Sequence, residues 1–187
     1  MGLKITGEPA ADKVLSEDPF ALLSGMLLDQ QFPMERAFAG PAKILERFGS
    51  LAPGDIAAAE PEAFAALCST PPAVHRFPGA MATRIQALAS HVVAEYDGRT
   101  ERLWTEADSG KELLRRLQAL PGFGKQKAQI FIALLGKQLG VQPAGWAEAA
   151  GDYAEPGAFR SVADVVDTTS LEKVRSYKKQ QKAAARG

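Results

Sequence analysis

The sequence predicts an all-α protein, and three features of the chain support this prediction. Alanine and leucine are abundant along the 187 residues. No segment shows the sustained alternation of β-branched and polar residues that is typical of a half-buried strand. Proline at the start of apolar runs, and glycine or proline at their ends, mark helix boundaries. A chain of this length suffices for one domain with a sizeable hydrophobic core.

The first half of the chain contains a predicted central helix. Asp18-Pro19 pairs a capping residue with a proline at the first helical position, and the run from Phe20 to Leu28 is apolar on nearly all sides. Such a run indicates a buried helix. A second helix is predicted from Pro33 to Phe48. Further helical segments are expected near residues 55–59, 61–67 and 80–96, and Asp97-Gly98 ends the last of them.

The second half of the chain contains two predicted helices, at residues 111–119 and 125–139, which flank a hairpin. Residues 140–157 are rich in glycine, alanine and proline and predict an irregular connection, and residues 161–166 are apolar-periodic. The sequence Thr169-Ser170-Leu171-Glu172 predicts a capping box that opens a last helix. We expect that helix to be either a solvated, frayed end of the chain or a positively charged arm that lies along DNA. The reason is its many cations: Lys173, Arg175, Lys178, Lys179, Lys182 and Arg186.

Composition restricts the classes of site and of partner. The formal net charge is zero, so any nucleic-acid surface is expected to be a local patch. The single cysteine, Cys68, excludes an internal disulfide, a four-cysteine zinc site and an iron–sulfur cluster. His75 and His91 are too few for a histidine-rich metal site, so no metal or cofactor is predicted. No apolar run approaches the length of a membrane span, and Met1 to Gly7 has no signal-peptide pattern, so the expected location is the cytoplasm.

The hairpin, LPGFGKQKA from Leu120 to Ala128, is the most informative stretch of the sequence. Gly122 and Gly124 flank Phe123 and allow a bend too tight for side chains. Backbone N–H groups at the start of the following helix then favour an anion, and Lys125 and Lys127 make phosphate the natural one. The segment therefore predicts a helix-hairpin-helix that holds a nucleic-acid backbone without base readout. A purely structural turn is the alternative for this segment.

Two segments together resemble the helix-hairpin-helix DNA glycosylases, the endonuclease III or HhH-GPD superfamily. The sequence PFALLSGMLLDQQ, from Pro19 to Gln31, resembles the first core helix of that family and its glutamine-bearing loop. The stretch from Leu120 to Ala128 resembles the family's hairpin. The resemblance covers residues 19–139.

The resemblance implies a two-lobed fold and a role in base excision DNA repair. A six-helix bundle is expected over residues 20–135, including the hairpin at 111–139, with residues 1–19 and 140–187 in the second lobe. Duplex DNA, damaged or distorted, is the expected partner, bent across the cleft with a base flipped out. Gln31 matches the residue that fills the gap left in the duplex, and its alternative role is a helix-end residue bonded to its own backbone. Phe32 is expected to act as an apolar wedge or to pack locally.

The chain departs from the family at two positions that carry chemistry. Bifunctional members use a lysine as a Schiff-base nucleophile, and Gln126 stands there in this sequence. An amide forms no imine, and Lys125 and Lys127 each lie about 100° around the helix from it. The family's aspartate falls within residues 141–147, which contain no carboxylate. The candidate substitutes are Glu148 and Asp152, which follow that position, and Asp29, which ends the apolar helix.

The sequence therefore predicts a DNA-repair protein that removes a base by monofunctional hydrolysis, without the family-type lyase step. The alternative is a catalytically inactive helix-hairpin-helix protein that recognises distorted or abasic DNA. A helical protein–protein adaptor is a third interpretation, and it leaves the cationic hairpin unexplained.

Overall fold

The computed structural model describes residues 2–186, and within that range the protein is all-α, with no β-strand. The predicted fold class is confirmed. None of the described helices is long and apolar enough to cross a membrane. The first six helices are α1 (Pro9–Glu17), α2 (Pro19–Leu28), α3 (Met34–Phe48), α4 (Pro53–Ala58), α5 (Pro61–Ser69) and α6 (Pro78–Tyr96). The remaining α-helices are α7 (Arg102–Thr105), α8 (Gly110–Gln118), α9 (Lys125–Leu139), α10 (Trp146–Ala150) and α11 (Thr168–Arg186).

The connection between α9 and α11 is more ordered than its composition predicts. Instead of an irregular segment at residues 140–157, the structure has α10 followed by a 3-10 helix, Gly151–Ala154. A second 3-10 helix, Val162–Asp164, lies before α11. Trp146 of α10 packs directly on Gly136 of α9, where any side chain would collide with the indole ring. A tight packing contact between two helices therefore accompanies order in a segment whose local sequence signals only a loop.

The N-terminus of α11 is capped two residues earlier than predicted. The Ser170 N–H donates to Oδ1 of Asp167 at 2.7 Å, and Ser170 Oγ accepts from the Val166 and Asp167 N–H groups. The capping box predicted at Thr169–Glu172 is therefore wrong. A carboxylate at the N-cap combines a side-chain acceptor with favourable charge at the positive end of the helix. The hydrogen bond from the Ser170 N–H, the largest cause, lowers the pKa of Asp167.

The core forms around α2, which is buried from Phe20 to Leu28 as predicted. Helix α3 packs closely on it, because Gly25 leaves room for the ring of Phe38, 2.5 Å from a Cβ built on that glycine. Helix α9 contributes the buried run from Phe131 to Leu135. The same hydrophobic cluster extends from Leu3 near the N-terminus to Val174 in α11. This packing places the C-terminus of α2 beside the N-terminus of α9.

Candidate nucleic-acid interface

The hairpin between α8 and α9 combines an anchored side chain with an exposed backbone. Phe123 is buried, and its ring meets that of Phe131 edge to face, with centroids 6.5 Å apart. Gly122 has a φ of +83°, the left-handed conformation that glycine adopts without strain. Both Gly122 and Gly124 are exposed. Phe123, predicted as a DNA-binding residue, is therefore buried and fixes the hairpin to the core, and its N–H donates to the Leu120 carbonyl at 3.1 Å.

The N-terminus of α9 is open. Gly124 is its N-cap, no described side chain caps it, and the Ala128 N–H makes the first bond, to the Gly124 carbonyl at 3.0 Å. The preceding N–H groups of the first turn have no intrahelical acceptor. A Cβ built on Gly124 meets nothing within 4 Å. With exposed Lys125 beside it, this end of the helix can accept a phosphate group.

Lys127 faces the protein and not the solvent. Its ammonium donates to the carbonyl oxygens of Met26 at 2.6 Å and Asp29 at 3.1 Å. Burial lowers the pKa of Lys127 to about 8, an effect that the nearby Asp29 opposes. The sequence grouped this lysine with the phosphate-binding cations, whereas the structure uses it to join the hairpin to the C-terminus of α2.

The loop between α2 and α3, residues 29–33, presents Gln31 to the solvent. Gln31 has a φ of +53° and is exposed. The left-handed region costs a non-glycine residue about 1–2 kcal/mol. Neighbouring contacts hold the loop in this shape: Gln30 Nε2 donates to the Leu27 carbonyl at 2.7 Å, and Arg84 donates to Gln30 Oε1 at 2.9 Å. Gln31 is therefore the projecting residue of a constrained loop.

His75 supports the same loop from the other side. The Phe77 N–H donates to His75 Nδ1 at 2.9 Å, so the ring proton lies on Nε2, which donates to the Gln30 carbonyl at 2.8 Å. Burial lowers the pKa of His75, which favours this neutral form. Phe32 packs on the imidazole with ring centroids 4.9 Å apart. The sequence assigned no role to His75, because the contact joins residues 45 positions apart.

The three candidate carboxylates lie in different surroundings. The Asp29 side chain is 8% exposed, and its Oδ2 lies 3.5 Å from Lys178 Nζ, on the Lys127 side of α9. Glu148 is exposed on α10. Asp152 is exposed in the 3-10 helix that follows, next to Tyr153. Because the Tyr153 hydroxyl accepts a hydrogen bond from Gln126 Nε2 at 2.9 Å, Asp152 lies on the side of α9 that carries the family's lysine position.

Comparison with known proteins agrees with this geometry. The family model described as HhH-GPD superfamily base excision DNA repair protein matches residues 24–186. Searches among curated proteins and among solved structures found no match. The matched region contains the Gln31 loop and the hairpin, and it extends past the resemblance at residues 19–139 to include α10 and α11. The chain therefore belongs to the HhH-GPD superfamily of base excision DNA repair proteins, whose members act on DNA.

Proposed function

We propose that this protein binds damaged or distorted duplex DNA and removes a base by monofunctional hydrolysis. Membership of a base excision repair family gives the general role and the partner. One observation carries the finer proposal: an exposed, left-handed Gln31 projects from a loop that Lys127 ties to the open end of the hairpin helix. A phosphate-binding element and a projecting amide are thus held in one fixed relation.

The two elements suit different parts of a distorted duplex. The hairpin offers backbone N–H groups and Lys125 to phosphates, which are contacts that carry no sequence information. Gln31 offers an amide that both donates and accepts hydrogen bonds. An unpaired base opposite a gap needs such a partner, whatever its identity. Phosphate contacts at the hairpin together with an adaptable amide at Gln31 support recognition of a distorted site in the duplex and not of a base sequence.

Hydrolysis without a lysine nucleophile needs a carboxylate near the sugar. Gln126 cannot form an imine, and its side chain is hydrogen-bonded to Tyr153. Asp152, beside that pair, and Asp29, at the end of α2, are the candidates that border the hairpin helix, and Glu148 is the third. A carboxylate there would stabilise the positive charge that develops on the sugar or activate the attacking water.

A non-catalytic DNA-binding protein is the second candidate function, and one observation favours it. The Asp29 carboxylate faces the Lys178 ammonium and is largely withdrawn from solvent. A carboxylate that faces an ammonium in this way offers less negative charge to a sugar unless DNA displaces the lysine. Recognition would then survive without base removal.

The glycines of the hairpin allow a test of phosphate binding that separates fold from contact. Gly124→Ala places a methyl group in open space, so the fold should be unchanged while duplex affinity falls because the backbone is blocked. Gly122→Ala is expected to destabilise the fold, since its Cβ would lie 2.6 Å from Leu27 Cδ1 at a positive φ. Fluorescence anisotropy gives the affinity and thermal denaturation the stability. A stable Gly124→Ala variant with undiminished affinity removes the hairpin from the interface.

Base release from a panel of lesion-bearing duplexes tests catalysis. Asp29→Asn, Asp152→Asn and Glu148→Gln each remove one charge, and loss of the essential carboxylate should lower the release rate by orders of magnitude while duplex affinity persists. If each of the three single variants releases the base at the rate of the unmodified protein, none of these residues is the catalytic group. If the unmodified protein binds abasic duplex but releases no base, the non-catalytic function is favoured.

Borohydride trapping on abasic DNA tests the absence of lyase chemistry. With an amide at position 126, no covalent adduct should form through the family's mechanism. Gln126→Lys restores an amine at that position and serves as the matched positive variant. An efficient adduct with the unmodified protein contradicts the proposal, and peptide mapping then identifies the amine that formed it.

A further inference from the structure

The second half of α11 is a cationic helix that projects beside the Gln31 loop. From residue 173 to residue 186 the helix has six cationic residues and no acidic one. Its last buried residue is Val174, and every residue from Lys179 to Arg186 is exposed. The helix is therefore docked through its first half only.

Contacts in the docked half fix the direction of the projecting half. Lys173 Nζ lies 4.5 Å from the ring centroid of Phe159, and Arg160 lies over the ring of Tyr177 at 5.8 Å. On another flank, Arg175 pairs with Glu35 at 3.3 Å and Lys178 with Asp29 at 3.5 Å. Glu35 lies in the first turn of α3 and Asp29 caps the C-terminus of α2, so this flank of α11 faces the Gln31 loop.

The cations on that flank form a stripe. Projected along a helix of 3.6 residues per turn, five of them fall within an arc of about 100°. They are Arg175, Lys178, Lys179, Lys182 and Arg186. The two nearest the body neutralise the carboxylates that would otherwise repel a phosphate beside Gln31, and the outer three extend the positive charge away from it.

We propose that the part of this stripe from Lys178 to Arg186 is a second backbone-binding surface that follows the duplex on one side of the Gln31 loop. The proposal rests on the DNA-binding function proposed above. This part of the stripe spans about 12 Å at 1.5 Å per residue, which corresponds to three or four base pairs at about 3.4 Å each. Duplex DNA is the occupant that fits, because it supplies regularly spaced negative charge along a line, whereas the stripe has no apolar residue for a protein groove.

The salt dependence of duplex binding tests the proposal. The triple variant Lys179→Gln/Lys182→Gln/Arg186→Gln removes three exposed cations and leaves the pairs at Asp29 and Glu35 in place. Three lost phosphate contacts should reduce the magnitude of the negative slope of log affinity against log salt by about 2.7. Between about 50 and 200 mM salt, the affinity of the unmodified protein should therefore fall about 40-fold more than that of the variant.

Two matched variants separate the stripe from total charge. Lys4→Gln/Lys13→Gln/Arg99→Gln removes the same charge from exposed residues elsewhere and should keep the original slope. Lys179→Gln/Gln180→Lys/Lys182→Ala/Ala184→Lys keeps the charge but moves two cations to the opposite flank of α11, so the magnitude of the slope should fall by about 1.8, the contribution of two phosphate contacts. Hydroxyl-radical footprinting should show protection on one side of the lesion that disappears in the triple and relocated variants.

The outcomes distinguish this proposal from the DNA-binding function. If the unmodified protein binds and Gly124→Ala weakens binding, but the triple variant keeps both slope and footprint, the stripe is not a DNA surface and the hairpin remains one. If the relocated variant keeps the original slope and footprint, net charge is responsible and the stripe proposal fails. If the unmodified protein binds no duplex, both proposals fail.

Discussion

At the scale of single residues, Lys127 makes stability depend on pH. Its pKa is lowered from 10.5 to about 8 by burial, so between these values the folded protein holds a neutral amine while the unfolded chain holds an ammonium. The unfolded state then binds more protons, and the free energy of unfolding rises with pH in that interval. Lys127→Met removes this contribution. Chemical denaturation measures the unfolding free energy of both proteins. The value for the unmodified protein minus that for Lys127→Met should therefore increase from pH 8 to 10.5. A constant difference contradicts the buried position.

Gln31 should affect recognition and stability in opposite directions. Its left-handed backbone suits glycine, so Gln31→Gly is expected to leave the fold equally or slightly more stable. The same change deletes the projecting amide, and the preference for abasic over intact duplex should fall by about 1–3 kcal/mol, the effect of one buried hydrogen-bonding group. Gln31→Ala is the matched variant that deletes the amide without relieving the backbone. Equal loss on both duplexes would make Gln31 a structural residue only.

At the scale of elements, α10 depends on a glycine in α9. Gly136→Ala drives a methyl group into the ring of Trp146, and the cost of such overpacking is about 1–3 kcal/mol. Helix α10 and the 3-10 helix behind it should shift and take Asp152 and Tyr153 away from Gln126. Stability and tryptophan emission report the shift. Gly79→Ala in α6, whose Cβ meets nothing within 4 Å, is the control: it should leave tryptophan emission unchanged and raise stability by up to about 1 kcal/mol, the usual effect of alanine in place of glycine in a helix.

Elements with local signals could be predicted from the sequence, and those formed by distant contacts could not. Helices α2 and α9 match their predicted bounds, because proline, glycine and apolar runs act within a few residues. The order in α10 depends on a contact with α9. At the site, the glycines of the hairpin were visible in the sequence, whereas the inward turn of Lys127 depends on a bond between residues 101 positions apart. Gln31 was identified through family resemblance, and its left-handed backbone has no local signature.

At the scale of the whole molecule, we propose that residues 20–135 form a helical bundle and that residues 1–19 and 140–187 form a second lobe. One groove is lined by residues near the N-terminus, among them Leu3, and by residues at the start of α11, among them Leu171. One hydrophobic cluster nevertheless joins Leu3, the bundle and Val174. We therefore expect a single cooperative unfolding transition, with far-ultraviolet circular dichroism and tryptophan fluorescence changing together. Separate transitions would show that the lobes unfold independently.

Because Phe123 is held in the core against Phe131, the N–H groups of the hairpin keep one geometry before any DNA arrives. Little conformational entropy remains to be lost on contact, and each contact depends on charge and not on sequence. A formal net charge of zero confines the attraction to a local surface. If the hairpin binds phosphates as proposed, association and release should be rapid at every position along a duplex. We therefore expect the protein to move along intact DNA and to dwell longest where base stacking is weak.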